Sequence, residues 1–110
     1  MDDLKLWIDD VRPAPDGGWL WIKSVNQAIA FIEVHRPPID PIEIISLDHD
    51  AGEFYYKGGD YIKVLQKMER MSRIDGKDFS HIQFHLHSQN PVGVANMRWI
   101  IERNGWKEIK

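Results

Sequence analysis

Apolar positions along the chain fall into short strand-like runs separated by longer stretches with helical spacing. Leu4–Ile8 is the first such run and reads as a strand. It ends in Asp9-Asp10 and a Pro/Gly loop from Arg12 to Gly18. Trp19–Ile22 reads as a short second strand. Ser24–His35 reads as a helix, because Val25, Ile29 and Ile32 recur at helical spacing. Ser24 and Gln27 have the spacing of a capping box, and Pro37-Pro38 would stop the helix. Glu43–Leu47 is a clear strand that runs into Asp48-His49-Asp50. A polar Gly/Tyr loop follows, then a helix over 60–73 with Tyr61, Val64 or Leu65, Met68 and Met71 on one face. His81–Leu86 reads as a strand ending at His87-Ser88. Asn90 is suited to cap the next helix, with Pro91 at its first position and Gly105 as its stop. Trp106–Ile109 completes the pattern as a short strand.

Strands alternating with helices predict an α/β fold with a mainly parallel sheet and helices on both faces. In such sheets ligands bind beyond the carboxyl ends of the strands. Asp9-Asp10, Asp48-His49-Asp50 and His87-Ser88 all fall at predicted carboxyl ends, so they are expected on one edge. The 110 residues suit one domain spanning 1–110. A net charge of −3 argues against sequence-specific duplex DNA binding, which calls for a basic excess. The absence of cysteine excludes disulfides, thiol nucleophiles and cysteine-type zinc sites. No signal-like segment or spanning apolar run stands in the sequence, so no membrane association and a cytoplasmic location are expected.

Asp9, Asp10 and Asp48 would bring three carboxylates together. At an effective dielectric near 20, two such charges about 4 Å apart repel by roughly 4 kcal/mol. Either one protonates or a divalent cation sits among them, and oxygen ligands of this kind suit Mg²⁺, Mn²⁺ or Ca²⁺. The bland alternative is that these acids cap nearby loop N–H groups. His49, between two acids, is a metal ligand, a proton-transfer group or an exposed loop residue. Ser88, Asn90 and Gly93 surround a helix N-terminus, where free N–H groups attract phosphate.

Other features read more plainly. His81, Gln83 and His85 share one face of their strand and suit a polar, half-buried sheet face, though His85 lies one pleat below His87. Trp7, Trp19 and Trp21 suit a core, with base stacking as the alternative. Lys63, Lys67, Arg70, Arg73 and Lys77 suit a solvated helix face, with nucleic-acid contact as the alternative. Tyr55 to Gly59 reads as a mobile loop over the site, with a plain surface loop as the alternative.

The order Asp9-Asp10, Asp48, Ser88 and Lys107 resembles the acidic pair, phosphoacceptor Asp, Ser/Thr and Lys of response-regulator receivers. More specifically, the strings Leu6–Pro13, Ser46–Asp50 and His87–Gly93 are similar to the cyclic-phosphate-processing receiver-like family, over nearly the whole chain. The resemblance implies a receiver-like, flavodoxin-like sheet with the first receiver helix replaced by the loop after Asp10, and no last helix after Lys110. It implies divalent-metal-dependent binding, and hydrolysis, of cyclic phosphate ends of nucleotides or RNA. A phosphorylated small molecule or an RNA end is then the partner, with no protein partner indicated. In that reading Asp9, Asp10 and Asp48 hold Mg²⁺ or Mn²⁺. Arg12, Ser88, Asn90 and Gly93 hold the phosphate, and His49, His87 and Asp50 manage the protons. The alternative is a receiver phosphorylated on Asp48, or a degenerate receiver serving as an interaction module. His49 and Asp50 stand where receivers usually carry apolar residues, which weakens it.

Overall fold

The computed structural model describes residues 4–34 and 42–110. Five strands form one parallel sheet: β1 (Leu4–Ile8), β2 (Leu20–Ile22), β3 (Ile42–Leu47), β4 (Gln83–Leu86) and β5 (Lys107–Ile109). Three helices, α1 (Val25–Val34), α2 (Ile62–Asp75) and α3 (Pro91–Arg103), connect them in the predicted alternation. The predicted strands over 19–22, 81–86 and 106–109 are each trimmed at their start, and the expected stop at Pro37-Pro38 lies outside the described residues.

The strand order is β2-β1-β3-β4-β5. The steps β2→β3, β3→β4 and β4→β5 all run the same way across the sheet. Right-handed crossovers taken in one direction place their helices on one face. Accordingly Ile32 of α1, Met68 of α2 and Ile101 of α3 share a single core with Leu6, Ile45 and Phe84. The step β1→β2 runs the opposite way, and there the chain makes the loop that stands in for a helix. The fold is thus the expected receiver-like (flavodoxin-like) α/β sheet with its first helix replaced. The two-sided covering of a full receiver is reduced to one side: among the described residues no helix covers the face bearing Trp7, Trp21, Ser46 and His85.

Local chemistry explains the element ends. Ser24 Oγ accepts the Gln27 N–H, as a capping box requires, but Gln27 Oε1 accepts from Lys23 N instead of returning to Ser24. Asn90 Oδ1 accepts the Gly93 N–H, with Pro91 opening α3. The segment expected as a mobile loop is a 3-10 helix, Gly52–Lys57. It ends at Gly58, whose φ of 119° and close approach to Val25 and Asn26 leave no room for a side chain. Trp106 stacks on Phe84 at 5.2 Å and closes the core under β5.

Glu69 ties α2 to α3. It accepts two hydrogen bonds from Arg103, both 2.7 Å, and one of 2.6 Å from Asn104. The Arg103 bonds hold its carboxyl below the ordinary value of 4.5. A depressed folded value means stability that is present above the unfolded value and lost as pH falls through the folded one. Glu69→Gln should therefore lower stability by about 1 kcal/mol at neutral pH. Urea melts of parent and variant should converge once acid has protonated Glu69, and a gap that persists there would assign the effect to packing.

Candidate active site

Strand register builds the site. Ile8, Leu47 and Leu86 lie side by side at the carboxyl edge. The ladder continues one residue further through Asp48 N–H to Ile8 O (2.9 Å), His87 N–H to Leu47 O (3.0 Å) and Asp9 N–H to Ile22 O (3.2 Å). Asp9, Asp48 and His87 are therefore pinned in a row. Asp9, Asp10 and Asp48 each place a carboxylate oxygen within 4.8 Å of the others. The backbone of Gly52 lies against the Asp10 carboxylate so closely that any side chain there would collide with it.

Asp9 is 1% exposed. Burial opposes its charge, but the N–H groups of Arg12 and Val11 and the ring of His87 outweigh it, and its carboxyl sits below the ordinary value. Three N–H donors occupy three of the roughly four acceptor sites of a carboxylate. Asp10 takes the remaining place. Burial, its hydrogen bond with Asp9 and the charges of Asp9 and Asp48 all push its carboxyl up. The three carboxylates offer oxygens close enough together for one divalent cation, and the charge that pushes Asp10 up is what such an ion would offset, so the donor set fits it.

His87 is not free to meet a substrate. Its Nε2 is 2.9 Å from Asp9 Oδ2, its Nδ1 is 2.8 Å from Ser46 Oγ, and its ring stacks on Trp7 at 3.9 Å. Burial pushes it below its ordinary value despite the pull of Asp9, so the neutral ring donates from Nε2 and accepts at Nδ1. Ser46 then donates to His87 and accepts from His85 Nδ1, also 2.8 Å away. The chain His85, Ser46, His87, Asp9 runs from the open sheet face to the acidic cluster. Trp7 Nε1 donates to Arg12 O and Trp21 Nε1 to Asp9 O, so these tryptophans brace the loop after β1 from the open face rather than filling the helix-covered core. The buried Ser46 was missed in the sequence, since a lone serine inside a strand carries no signal; His85, one pleat below His87, carried the only hint.

The remaining residues divide. His49 lies 2.9 Å from Asp50 through Nδ1 and packs on Gly93, where a Cβ would collide with the imidazole. Its Nε2 has no hydrogen bond among the described residues. Asn90 donates to Asp50 at 3.4 Å. Two of the anion-binding N–H groups expected after β4 are already taken: Asn90 N–H donates to Ser88 Oγ and Gly93 N–H to Asn90 Oδ1. The oxygens of Ser88 and Asn90 thus shape the turn that opens α3. Arg12 Nη1 donates to His87 O at 2.9 Å and holds its guanidinium across the edge. Lys107 registers with Gln83 at the start of β4 and does not join the site. Asp60, overlooked in the sequence, forms a second group with His49 and Asp50, but its Oδ1 accepts the Ala51 N–H. Burial and the nearby charges of Asp10, Asp9 and Asp48 push the Tyr61 hydroxyl up, and it donates to Lys23 O at 2.7 Å.

Ser46→Ala should leave both histidine Nδ1 atoms without their partner and cost about 2 kcal/mol in urea unfolding. Nitrogen NMR of the imidazoles should show His87 losing its single Nε2–H form. An unchanged spectrum would dissolve the chain as drawn.

Comparison with curated proteins and with solved structures gives no match. The profile of the cyclic-phosphate processing receiver domain matches residues 4–103, which takes in every residue of the acidic cluster, the histidine chain and α3. With the one-way parallel sheet and the carboxylates gathered at its carboxyl edge, that match over most of its length makes this chain a member of the cyclic-phosphate processing receiver domain family.

Proposed function

We propose that this domain binds a divalent cation, Mg²⁺ or Mn²⁺, between Asp9, Asp10 and Asp48 and hydrolyses cyclic phosphate ends of nucleotides or RNA. The observation that carries the reading is the convergence of three carboxylates within 4.8 Å, one of them pushed toward its protonated form. A cation bound there supplies a Lewis acid for the phosphoryl oxygens and makes water easier to deprotonate.

The protein's own groups divide the remaining work. Asp50 accepts from His49 Nδ1, which fixes the tautomer and leaves Nε2 to take a proton from the attacking water. Opening a 2′,3′-cyclic phosphate forms one P–O bond to water and breaks one to the sugar. The proton lost by water is the one the departing sugar oxygen needs, so His49 can accept and return it. The Arg12 guanidinium, fixed through Nη1 on His87 O, directs its other donors to the phosphate. His87, with both nitrogens engaged, acts as a positioning residue: it holds Asp9 and leaves proton transfer to His49 and Asp50.

Hydrolysis of a 2′,3′-cyclic nucleotide should need added Mg²⁺ or Mn²⁺ and stop with chelator. Labelling of Asp48 by acetyl phosphate, with no cyclic phosphate consumed, would favour the receiver alternative instead. Asp10→Asn should weaken metal binding in calorimetric titration and raise the melting temperature of the metal-free protein, because it removes one of the repelling charges. Undiminished affinity in that variant would rule out the ligand set. His49→Ala should lower kcat by about two to four orders of magnitude with substrate binding retained. A His87→Ala variant should instead lose metal affinity and stability together.

A further inference from the structure

A groove of about 230 Å³ runs between α1 and α2, away from the acidic cluster. Lys63, Lys67 and Arg70 line it, with the side-chain amides of Asn26 and Gln66, and no carboxylate contributes to its wall. The spacing i, i+4, i+7 puts the three cations on one face of α2, over about 10 Å of helix. All three are exposed, and among the described residues none forms an ion pair. This sets them apart from Arg73, Arg98 and Arg103, which spend their charge on Glu69 and Glu108. Three unpaired like charges side by side are unfavourable in the free protein, and they stand out in a chain of net charge −3.

The 3-10 helix links the groove to the site. Its wall includes Gly58, the residue that ends the 3-10 helix Gly52–Lys57. The first residue of that helix, Gly52, lies against Asp10. Six residues at about 2 Å each separate the two by roughly 12 Å. At its other end the groove meets a larger hollow of about 730 Å³, where Glu33, Asp75 and Asp78 are balanced by Lys67, Arg70 and Lys77 in the wall. A polyanion lying along α2 is therefore favoured beside Lys63 and Gly58, where no carboxylate lines the wall, over the charge-balanced far end of the helix.

We propose that this groove binds the sugar-phosphate backbone of a single-stranded RNA whose cyclic-phosphate end lies at the Asp9, Asp10 and Asp48 cluster. The inference rests on the proposed function for the identity of the bound end and extends it from a nucleotide to a strand. Unpaired cations and amides over an open groove suit successive phosphates without reading bases. The expected substrate is thus an oligonucleotide of any sequence, held by its last few phosphates.

The test is fluorescence anisotropy over a range of salt, with the parent protein and a Lys63→Gln/Lys67→Gln/Arg70→Gln variant. The probes are a labelled single-stranded hexaribonucleotide ending in a 2′,3′-cyclic phosphate, the same hexamer ending in free hydroxyls, and a labelled 2′,3′-cyclic mononucleotide. Three phosphate contacts on a single strand predict a log–log salt slope of about −2, so that a fourfold rise in salt weakens hexamer binding about 16-fold. The triple variant should lose that slope and bind the cyclic hexamer no better than the mononucleotide, whose own affinity stays unchanged. Equal slopes in parent and variant would overturn the proposal, as would equal affinity of the parent for hexamer and mononucleotide. A glutamate-rich peptide of the same charge that bound as tightly as RNA would replace it with a protein partner. If both hexamers bind alike and lose the same slope in the variant, the groove stands and the reading of the acidic cluster as a cyclic-phosphate site falls.

Discussion

The carboxylate of Asp9 is buried and ionised, and much of the carboxyl edge is arranged around that fact. A buried charge is tolerated only where hydrogen bonds replace its lost water. Here the replacement comes from three directions: two N–H groups of the loop after β1 and the Nε2 of a histidine at the end of β4. The loop itself is held by indole N–H groups from Trp7 and Trp21, and the histidine by Ser46 and the stacked face of Trp7. Loosening any of these supports exposes the same charge. The arrangement leaves Asp9 one acceptor position, and that position faces Asp10.

Asp10 and Asp48 give this edge its chemistry. Held against Asp9, Asp10 is pushed toward protonation. The oxygens already stand within 4.8 Å of one another, so a cation would fit among them without rearrangement of the backbone. The histidines then fall into different roles by geometry alone. His87 is locked between two partners in a nearly closed niche, whereas His49 is tethered through one nitrogen and rests on a glycine surface that a larger residue would obstruct. In the proposed mechanism the first orients and the second transfers the proton.

The one-sided layering follows from topology. Because three successive crossovers step across the sheet in one direction, handedness stacks their helices on one face. The face opposite, bearing Trp7, Trp21, Ser46 and His85, is left to the loop between β1 and β2. The histidine chain lies there, on the strand positions that alternate with the core, and so the packing of Leu6, Ile45 and Phe84 fixes its geometry from behind.

Much of this was legible in the sequence. The run Leu4–Ile8, the spacing of Val64, Met68 and Met71, and the Asn90-Pro91 start of α3 each follow from local rules of period and capping, and the structure keeps them. The gathering of Asp9, Asp10 and Asp48 was also legible, because parallel strands of similar length bring their carboxyl ends together whatever the detail. What depended on tertiary structure was how individual polar atoms are used. Asn90 and Ser88 read in the sequence as phosphate-binding residues, and only the structure shows that their oxygens also accept backbone N–H groups of their own turn. That Asp9 and Ser46 hold both nitrogens of His87 could not be read from its place at a strand end. Tyr55–Gly59 reads in the sequence as a mobile or a plain surface loop, and the 3-10 helix Gly52–Lys57, with Gly58 against Val25, is a feature the sequence did not signal. Sequence period sets which face a side chain takes, and strand ends set which edge it reaches. Which partner satisfies each buried donor and acceptor is decided only when segments as distant as Asp9 and His87 are brought within hydrogen-bond reach.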